Sequence, residues 1–273
     1  MQDILAFADT YGAWRRSMHY AAELSATLGA GLTGVYVVEP FVPMPSMSLP
    51  VFPEVYSYTP ELLEEARAAE PEFLRQAAEQ GVNNARWLVI EGTVSASLAY
   101  AANWHDLLIL ESGNSSAWML PGILGHVVLT CGSPAIVVPE SFAGKASTDN
   151  IAIAWNGSPE SIRALHAAMP LLRRAKKVTL LQGQRNQPFS SVECLPALDV
   201  CQWLAKSGIC FSEVPFDAAP EDAGHKLLRK AHKVHADLLV MGAYGHSRFS
   251  EWVLGGATRY LLEHADIPVF VRH

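Results

Sequence analysis

The sequence has little from which to build a metal centre, a disulfide framework or a membrane anchor. Only four cysteines occur in 273 residues: Cys131, Cys194, Cys201 and Cys210. No two of them form a C-x-x-C pair, so neither a zinc-ligand pattern nor a disulfide scaffold is expected. Charged residues make up 17% of the chain and hydrophobic ones 50%, which excludes the composition of a disordered segment. Apolar runs are broken by Gly, Pro or charge before reaching the roughly 18 residues of a spanning helix. No basic stretch or cleavage pattern precedes the strand-like ILAFAD at 4–9, so a cytoplasmic location with no membrane partner is expected. G-x-S-x-G, Walker A and H-E-x-x-H patterns are also missing, leaving no ready-made catalytic residue and no metal ligand set. His225, His232 and His235 stand among Lys226, Arg229, Lys230 and Lys233 and read as a solvated basic face rather than a metal site.

What is present is a duplicated α/β pattern. The net charge of −7 argues against a nucleic-acid partner, and it is unevenly placed. Residues 1–146 carry 6 Lys/Arg and 15 Asp/Glu, whereas residues 147–273 carry 14 and 12; the halves therefore stand at −9 and +2, and the second receives an anion better. Short apolar runs, the mark of buried parallel strands, alternate with helical segments near 12–29, 60–80, 94–104 and 121–131. The second half repeats this with helices near 158–174, 196–207, 219–234 and 256–264. HDLLIL (105–110) answers HADLLVM (235–241), and GSPAIVVP (132–139) answers DIPVFVRH (266–273). The expected fold class is α/β: two tandem doubly wound Rossmann-like domains, 1–140 and 150–273, joined by a polar linker at 141–149. Each has a mainly parallel five-stranded sheet with helices on both faces. The proline-rich stretch at 41–60 reads as an extended loop.

In such sheets ligands sit beyond the carboxyl ends of the strands, at the switch point. After the fourth strand of the second half comes GAYGHSRFSEWVLGG, from Gly242 to Gly256. Glycines let backbone N–H groups approach an anion, and Gly255–Gly256 open a helical run whose N-terminus attracts phosphate. The competing reading is that these glycines form a turn and a close helix–sheet contact.

The pattern Gly242-x2-Gly245-x9-Gly255, followed by Thr258 and a closing strand after Pro268, resembles the nucleotide motif of the universal stress protein family. The resemblance covers both halves and implies a tandem member. It implies an adenine nucleotide, ATP, ADP or AMP, with Gly242 and Gly245 at the ribose and phosphates. It places the backbone N–H groups of Gly255, Gly256 and Ala257 on the phosphates. The loop Ala154 to Ser158, including Asn156, falls against the adenine and the metal–phosphate region. Gln182 and Gly183 would read the adenine edge through backbone groups. Two departures follow: Gly256 stands where a Ser or Thr is usual, so that only Thr258 can replace the hydroxyl. Asn156 stands where the family has an acid, so Mg²⁺ is not called for by charge.

The first half keeps an acid, Asp9, and has Val37 at the place of the adenine-reading residue. Its SGNSSAWMLPGILGHVV (112–128) does not reproduce the glycine spacing with Gly113, Gly122 and Gly125, and it carries Met119, Leu120, Pro121 and Ile123. This half is expected to be degenerate for nucleotide. The resemblance implies a stress-response role in ligand-responsive signalling without dedicated catalysis, and pairing through the last strands, 136–139 and 269–273, within one chain or in a homodimer. Two alternatives stand beside it: an interaction module with both sites vestigial, and a weak ATPase using His246 or Ser247.

Overall fold

Leu-, Ile- and Val-rich runs too short for helices become strands, and the longer amphipathic segments between them become crossover helices. The computed structural model describes residues 1–40, 53–183, 199–216, 218, 222–243 and 256–273. The first half runs β1 (Asp3–Ala8), α1 (Arg16–Leu28), β2 (Gly31–Val38), α2 (Pro53–Ala68), α3 (Glu70–Glu79), β3 (Ala85–Glu91) and α4 (Val94–Ala102). It continues with β4 (Leu107–Ser112), one 3₁₀ turn, α5 (Pro121–Cys131) and β5 (Ala135–Pro139). The second half runs β6 (Asn150–Trp155), α6 (Pro159–Leu172), β7 (Lys177–Gln182), α7 (Val200–Lys206) and β8 (Phe211–Pro215). It closes with α8 (Ala223–Lys233), β9 (Leu238–Gly242), α9 (Gly256–His264) and β10 (Val269–Arg272).

The strands form one ten-stranded sheet in the order β3-β2-β1-β4-β5-β10-β9-β6-β7-β8. Within each half every pairing is parallel. The halves meet through β5 and β10, which are antiparallel with Val269 opposite Val137 and Phe270 opposite Ile136. Pairing through the last strands is thus made inside the chain, and it removes two apolar edges from water. Each face of the sheet carries a core that runs through both halves. One contains Ile4, Leu24, Phe73, Ile136, Leu165 and Phe270, the other Leu5, Leu98, Val128, Leu228, Leu262 and Val271.

Two local expectations differ. The helix near 60–80 is two helices, because Pro71 at the start of α3 lacks an N–H and its ring opposes the carbonyl one turn back, so α2 ends at Ala68. The stretch read as an extended loop is helical from Pro53 onward; its first part, 41–52, lies outside the described residues. The segment after β5 is also no slack tether. Ala146 N–H donates to Glu23 Oε2 at 2.7 Å, Ser147 Oγ to Asp237 Oδ2 at 2.7 Å, and Phe142 lies under the Arg16 guanidinium. Among the described residues no helix is long and apolar enough to cross a membrane.

Candidate functional site

The second half places its first and fourth strands side by side, with β7 beyond β6. The carboxyl ends of β9, β6 and β7 are therefore adjacent, and the crossovers leave β6 and β9 on opposite faces of the sheet. This is the switch point at which an α/β sheet opens a crevice. Of the residues singled out from sequence, Ala154, Asn156, Gly183 and Gly242 come together at this edge, while Gly256, Ala257 and Thr258 begin α9. Gly245, Gly255, His246 and Ser247 lie outside the described residues.

The loop after β6 is built by hydrogen bonds that its sequence makes possible. Asn156 Oδ1 accepts from Ser158 N–H at 3.0 Å, and Gly157 adopts the left-handed φ of 76° that closes the turn. Ser158 then caps α6, its Oγ accepting from Ser161 N–H at 3.1 Å. The Asn156 oxygen is thus engaged in shaping the loop, and it carries no charge for a hard cation. At the end of β7, Gly183 N–H donates to the Trp155 carbonyl at 2.8 Å, and the Gln182 carbonyl accepts from Phe216 N–H at 2.8 Å. These two groups hold strand ends together.

Gly242 has a structural task of its own. A Cβ at this position would fall 2.5 Å from the Glu160 carbonyl carbon and 2.5 Å from the Ser161 nitrogen. The first turn of α6 rests directly on the end of β9, and only glycine permits that approach. For Gly242 the close helix–sheet contact weighed in the sequence is thus present, and it also brings a capped helix N-terminus to the edge. Ala243 N–H continues by donating to the Arg272 carbonyl at 2.9 Å. In α9, Gly256 is exposed, Ala257 half-buried and Thr258 buried.

Arg272 was missed by sequence reasoning. It ends β10 opposite Gly242, and its Nη1 is buried with no hydrogen-bond partner among the described residues. Burial, and secondarily the like charge of Arg163, press its pKa below the ordinary guanidinium value. Glu160 Oε2 is likewise buried without a partner, while its other oxygen holds Arg163 Nη2 at 2.9 Å. A cation closing the last strand at its carboxyl end was the available signal.

The first half presents opposite chemistry at the equivalent place. Ile4 pairs with Leu107 as Ile151 pairs with Leu238, so Glu111 occupies the position of Gly242 and Asp9 that of Asn156. Glu111 is buried, and its Oε2 accepts from Ser17 N–H in the first turn of α1 at 2.7 Å. Burial raises its pKa, the Ser17 hydrogen bonds opposing the shift. Asp9 Oδ1 stands 2.7 Å from Arg15 Nε, and Glu140 lies beyond that guanidinium at 4.0 Å. Three carboxylates thus surround one arginine, and the helix N-terminus is already filled by the chain's own anion. Val37, at the place of Gly183, is buried. A cleft nearby is lined by Asp9, Tyr11, Trp14, Arg15, Phe73 and Trp87, and Arg15, the cation in its lining, is engaged by Asp9.

Known proteins bear on both halves. Residues 147–273 match the model of the universal stress protein family. A universal stress protein of Synechocystis sp. (strain PCC 6803) is 26% identical over 170 residues, which are 60% of this chain and 56% of that one. The chain thus spans little more than half the length of that relative. Among solved structures, a universal stress protein from Archaeoglobus fulgidus DSM 4304 superposes with a TM-score of 0.72 at 15% identity, covering 99% of this chain and 95% of its own. A functionally unknown protein from Pseudomonas aeruginosa PAO1 gives 0.59 at 14% identity, covering 99% and 92%. At such identities the structures speak for the fold alone, and they do so across both halves. Residues 147–273 are thus similar to the universal stress protein family, and both halves share the fold of its solved members.

Proposed function

We propose that the second half binds an adenine nucleotide, ATP, ADP or AMP, at the carboxyl edge of β9, β6 and β7. The chain then acts in a stress response as a ligand-responsive protein without dedicated catalysis. The observation that carries this reading is the contrast between the two equivalent edges. In the second half that edge combines glycine, the N-terminal turns of α6 and α9, and Arg272, whose Nη1 has no hydrogen-bond partner among the described residues. In the first half a buried carboxylate takes the same place. Unpaired N–H groups at a helix start together with a cation suit phosphate.

The assignment of residues follows the motif. Gly242, Gly245, Gly255, Gly256 and Ala257 take the ribose and phosphates, and Thr258 supplies a hydroxyl within the first turn of α9. Ala154, Asn156 and Gly183 frame the base. Mg²⁺ has no carboxylate at Asn156, so binding proceeds without it. The domain limits 1–140 and 150–273 and a cytoplasmic location belong to the same proposal.

The test is mass analysis of small molecules released on denaturing the purified chain, with calorimetric titration of ATP, ADP and AMP. The reading expects an adenine nucleotide or saturable binding, and its loss in Gly255→Val. No released nucleotide, together with an unchanged melting temperature at millimolar ATP, ADP and AMP, would favour the vestigial interaction module. At 100 times Kd a ligand stabilises by about 2.7 kcal/mol, so the melt is decisive.

A further inference from the structure

The loop after β1 is longer and more aromatic than its repeat. Residues 9–15, seven in all, connect β1 to α1, whereas residues 156–158, three in all, suffice between β6 and α6. The additional residues bring in Tyr11 and Trp14, and the loop that carries them is tied down. Tyr11 Oη donates to Glu65 Oε2 of α2 at 2.7 Å, and Thr10 Oγ1 donates to the Ala13 carbonyl at 3.0 Å. Trp14 packs on Phe73 of α3 with ring centroids 5.4 Å apart, and Phe73 on Trp87 of β3 at 5.0 Å. These rings wall the cleft at the carboxyl end of β1, with Asp9 and Glu72 also in its lining, and it has room for about one water-sized group. The Asp9 side chain is nine-tenths buried, and Arg15 Nε meets its Oδ1 at 2.7 Å. Its second oxygen, Oδ2, has no hydrogen bond among the described residues. A buried carboxylate oxygen left open beside aromatic rings calls for a donor.

We infer that this cleft is a ligand site in its own right and takes the primary ammonium group of a small alkylamine or diamine. The chemistry of the lining selects that class. An anion meets Asp9, Glu111 and Glu140 around the single Arg15. A neutral planar ligand leaves Asp9 Oδ2 buried without a donor, which costs its full desolvation. A hard metal ion needs about six oxygens, and the wall beside Asp9 is aromatic. An ammonium satisfies both parts, because its N–H groups donate to a carboxylate and its charge is attracted to aromatic rings. It is also the size of a water molecule, so the head enters while its alkyl chain points to the open mouth. Glu72 and Glu140 are exposed nearby, which favours a second ammonium on the same ligand. The repeat supplies the contrast: Asn156 stands uncharged in the place of Asp9, and its short loop adds no aromatic ring. The inference does not depend on nucleotide binding.

Calorimetric titration of putrescine and of butylammonium into the full chain, in about 0.15 M NaCl to screen diffuse attraction, tests it. The expected result is one saturable site with a Kd of about 1 mM or below. Tetramethylammonium, too wide for the cleft, should give no saturable heat. Asp9→Asn should weaken binding at least about tenfold. Trp14→Leu, which keeps apolar bulk without the ring, should weaken it about threefold or more and serves alone if Asp9→Asn does not fold. Glu61→Gln removes an exposed carboxylate from the same half and should bind like the parent. Circular dichroism establishes that each variant is folded. Three outcomes would overturn the inference: no saturable heat from either amine, an affinity unchanged in the folded cleft variants, or equal weakening in Glu61→Gln. Saturable binding of tetramethylammonium as tight as that of putrescine would overturn it too, since a primary ammonium would then have no special place.

Discussion

Glu111 Oε2 accepts a hydrogen bond from the backbone N–H of Ser17 at 2.7 Å, so the first half holds a built-in carboxylate at the helix start that its repeat leaves beside Gly242. A ligand anion there would meet Glu111, Asp9 and Glu140 with only Arg15 among them. The first half therefore opposes an anion at this place electrostatically.

Glu111 should also set part of the pH dependence of stability. Its folded-state pKa is raised by burial, so its contribution is fully present below the ordinary carboxylate value. That contribution is lost as pH rises through the folded-state value. Glu111→Gln keeps an oxygen for Ser17 N–H and has no charge to bury. In urea melts the variant should show a flatter decline in stability above the carboxylate range than the parent, and should exceed it at neutral pH. A parallel pair of pH profiles would refute this.

Gly242→Ala should cost about 1–3 kcal/mol, as expected for overpacking against backbone. Its Cβ meets Glu160 and Ser161 main-chain atoms at 2.5 Å. Gly122→Ala is the control, since nothing lies within 4 Å of a Cβ there and α5 gains helix propensity, with a stability change within about 1 kcal/mol in the favourable direction. Denaturant midpoints for the two variants decide the matter.

The proposed nucleotide site makes a prediction about metal through Asn156. Calorimetric titration of ATP into the parent should give the same affinity with Mg²⁺ or with a chelator. Asn156→Asp restores a carboxylate and should make binding Mg²⁺-dependent by about tenfold, or 1.4 kcal/mol. Asn156→Ala removes the acceptor for Ser158 N–H and should lower stability by about 1 kcal/mol. Equal Mg²⁺ dependence in parent and Asn156→Asp would count against this placement of the phosphates.

Arg272 should separate stability from binding. Its Nη1 is buried without a hydrogen-bond partner among the described residues, and an apolar side chain of similar length removes the desolvation cost of that buried polar atom. Arg272→Met should therefore melt no lower than the parent, yet bind ATP about tenfold more weakly if its charge meets phosphate. Unchanged ATP affinity would remove Arg272 from the site.

Much of the architecture was legible in the residues. The apolar runs HDLLIL, GSPAIVVP, HADLLVM and DIPVFVRH end within a residue or two of the ends of β4, β5, β9 and β10, because strands buried on both faces demand such runs, and the doubled HDLLIL and HADLLVM marked the repeat. The break before α3 was visible as Pro71 and was overlooked. The candidate site was legible only as a chemical inventory. Glycines announce close approach without saying to what, and Gly242 turned out to receive the α6 turn. Asn156 could be seen to lack a charge, but its bond to Ser158 depends on the loop geometry.

The sequence by itself determined the strand–helix alternation, the duplication, the uneven charge and the glycine motif of the second half, because each follows from local periodicity, composition or residue type. Only the tertiary structure decided that β5 and β10 join the halves into one sheet, that Glu111 fills a helix start, that Arg272 Nη1 is buried without a hydrogen-bond partner among the described residues, and that Tyr100 and Trp104 stand exposed. These depend on which distant segments share space. A strand pairing, a buried guanidinium nitrogen and an exposed tryptophan are properties of packing, and no single segment of chain contains them.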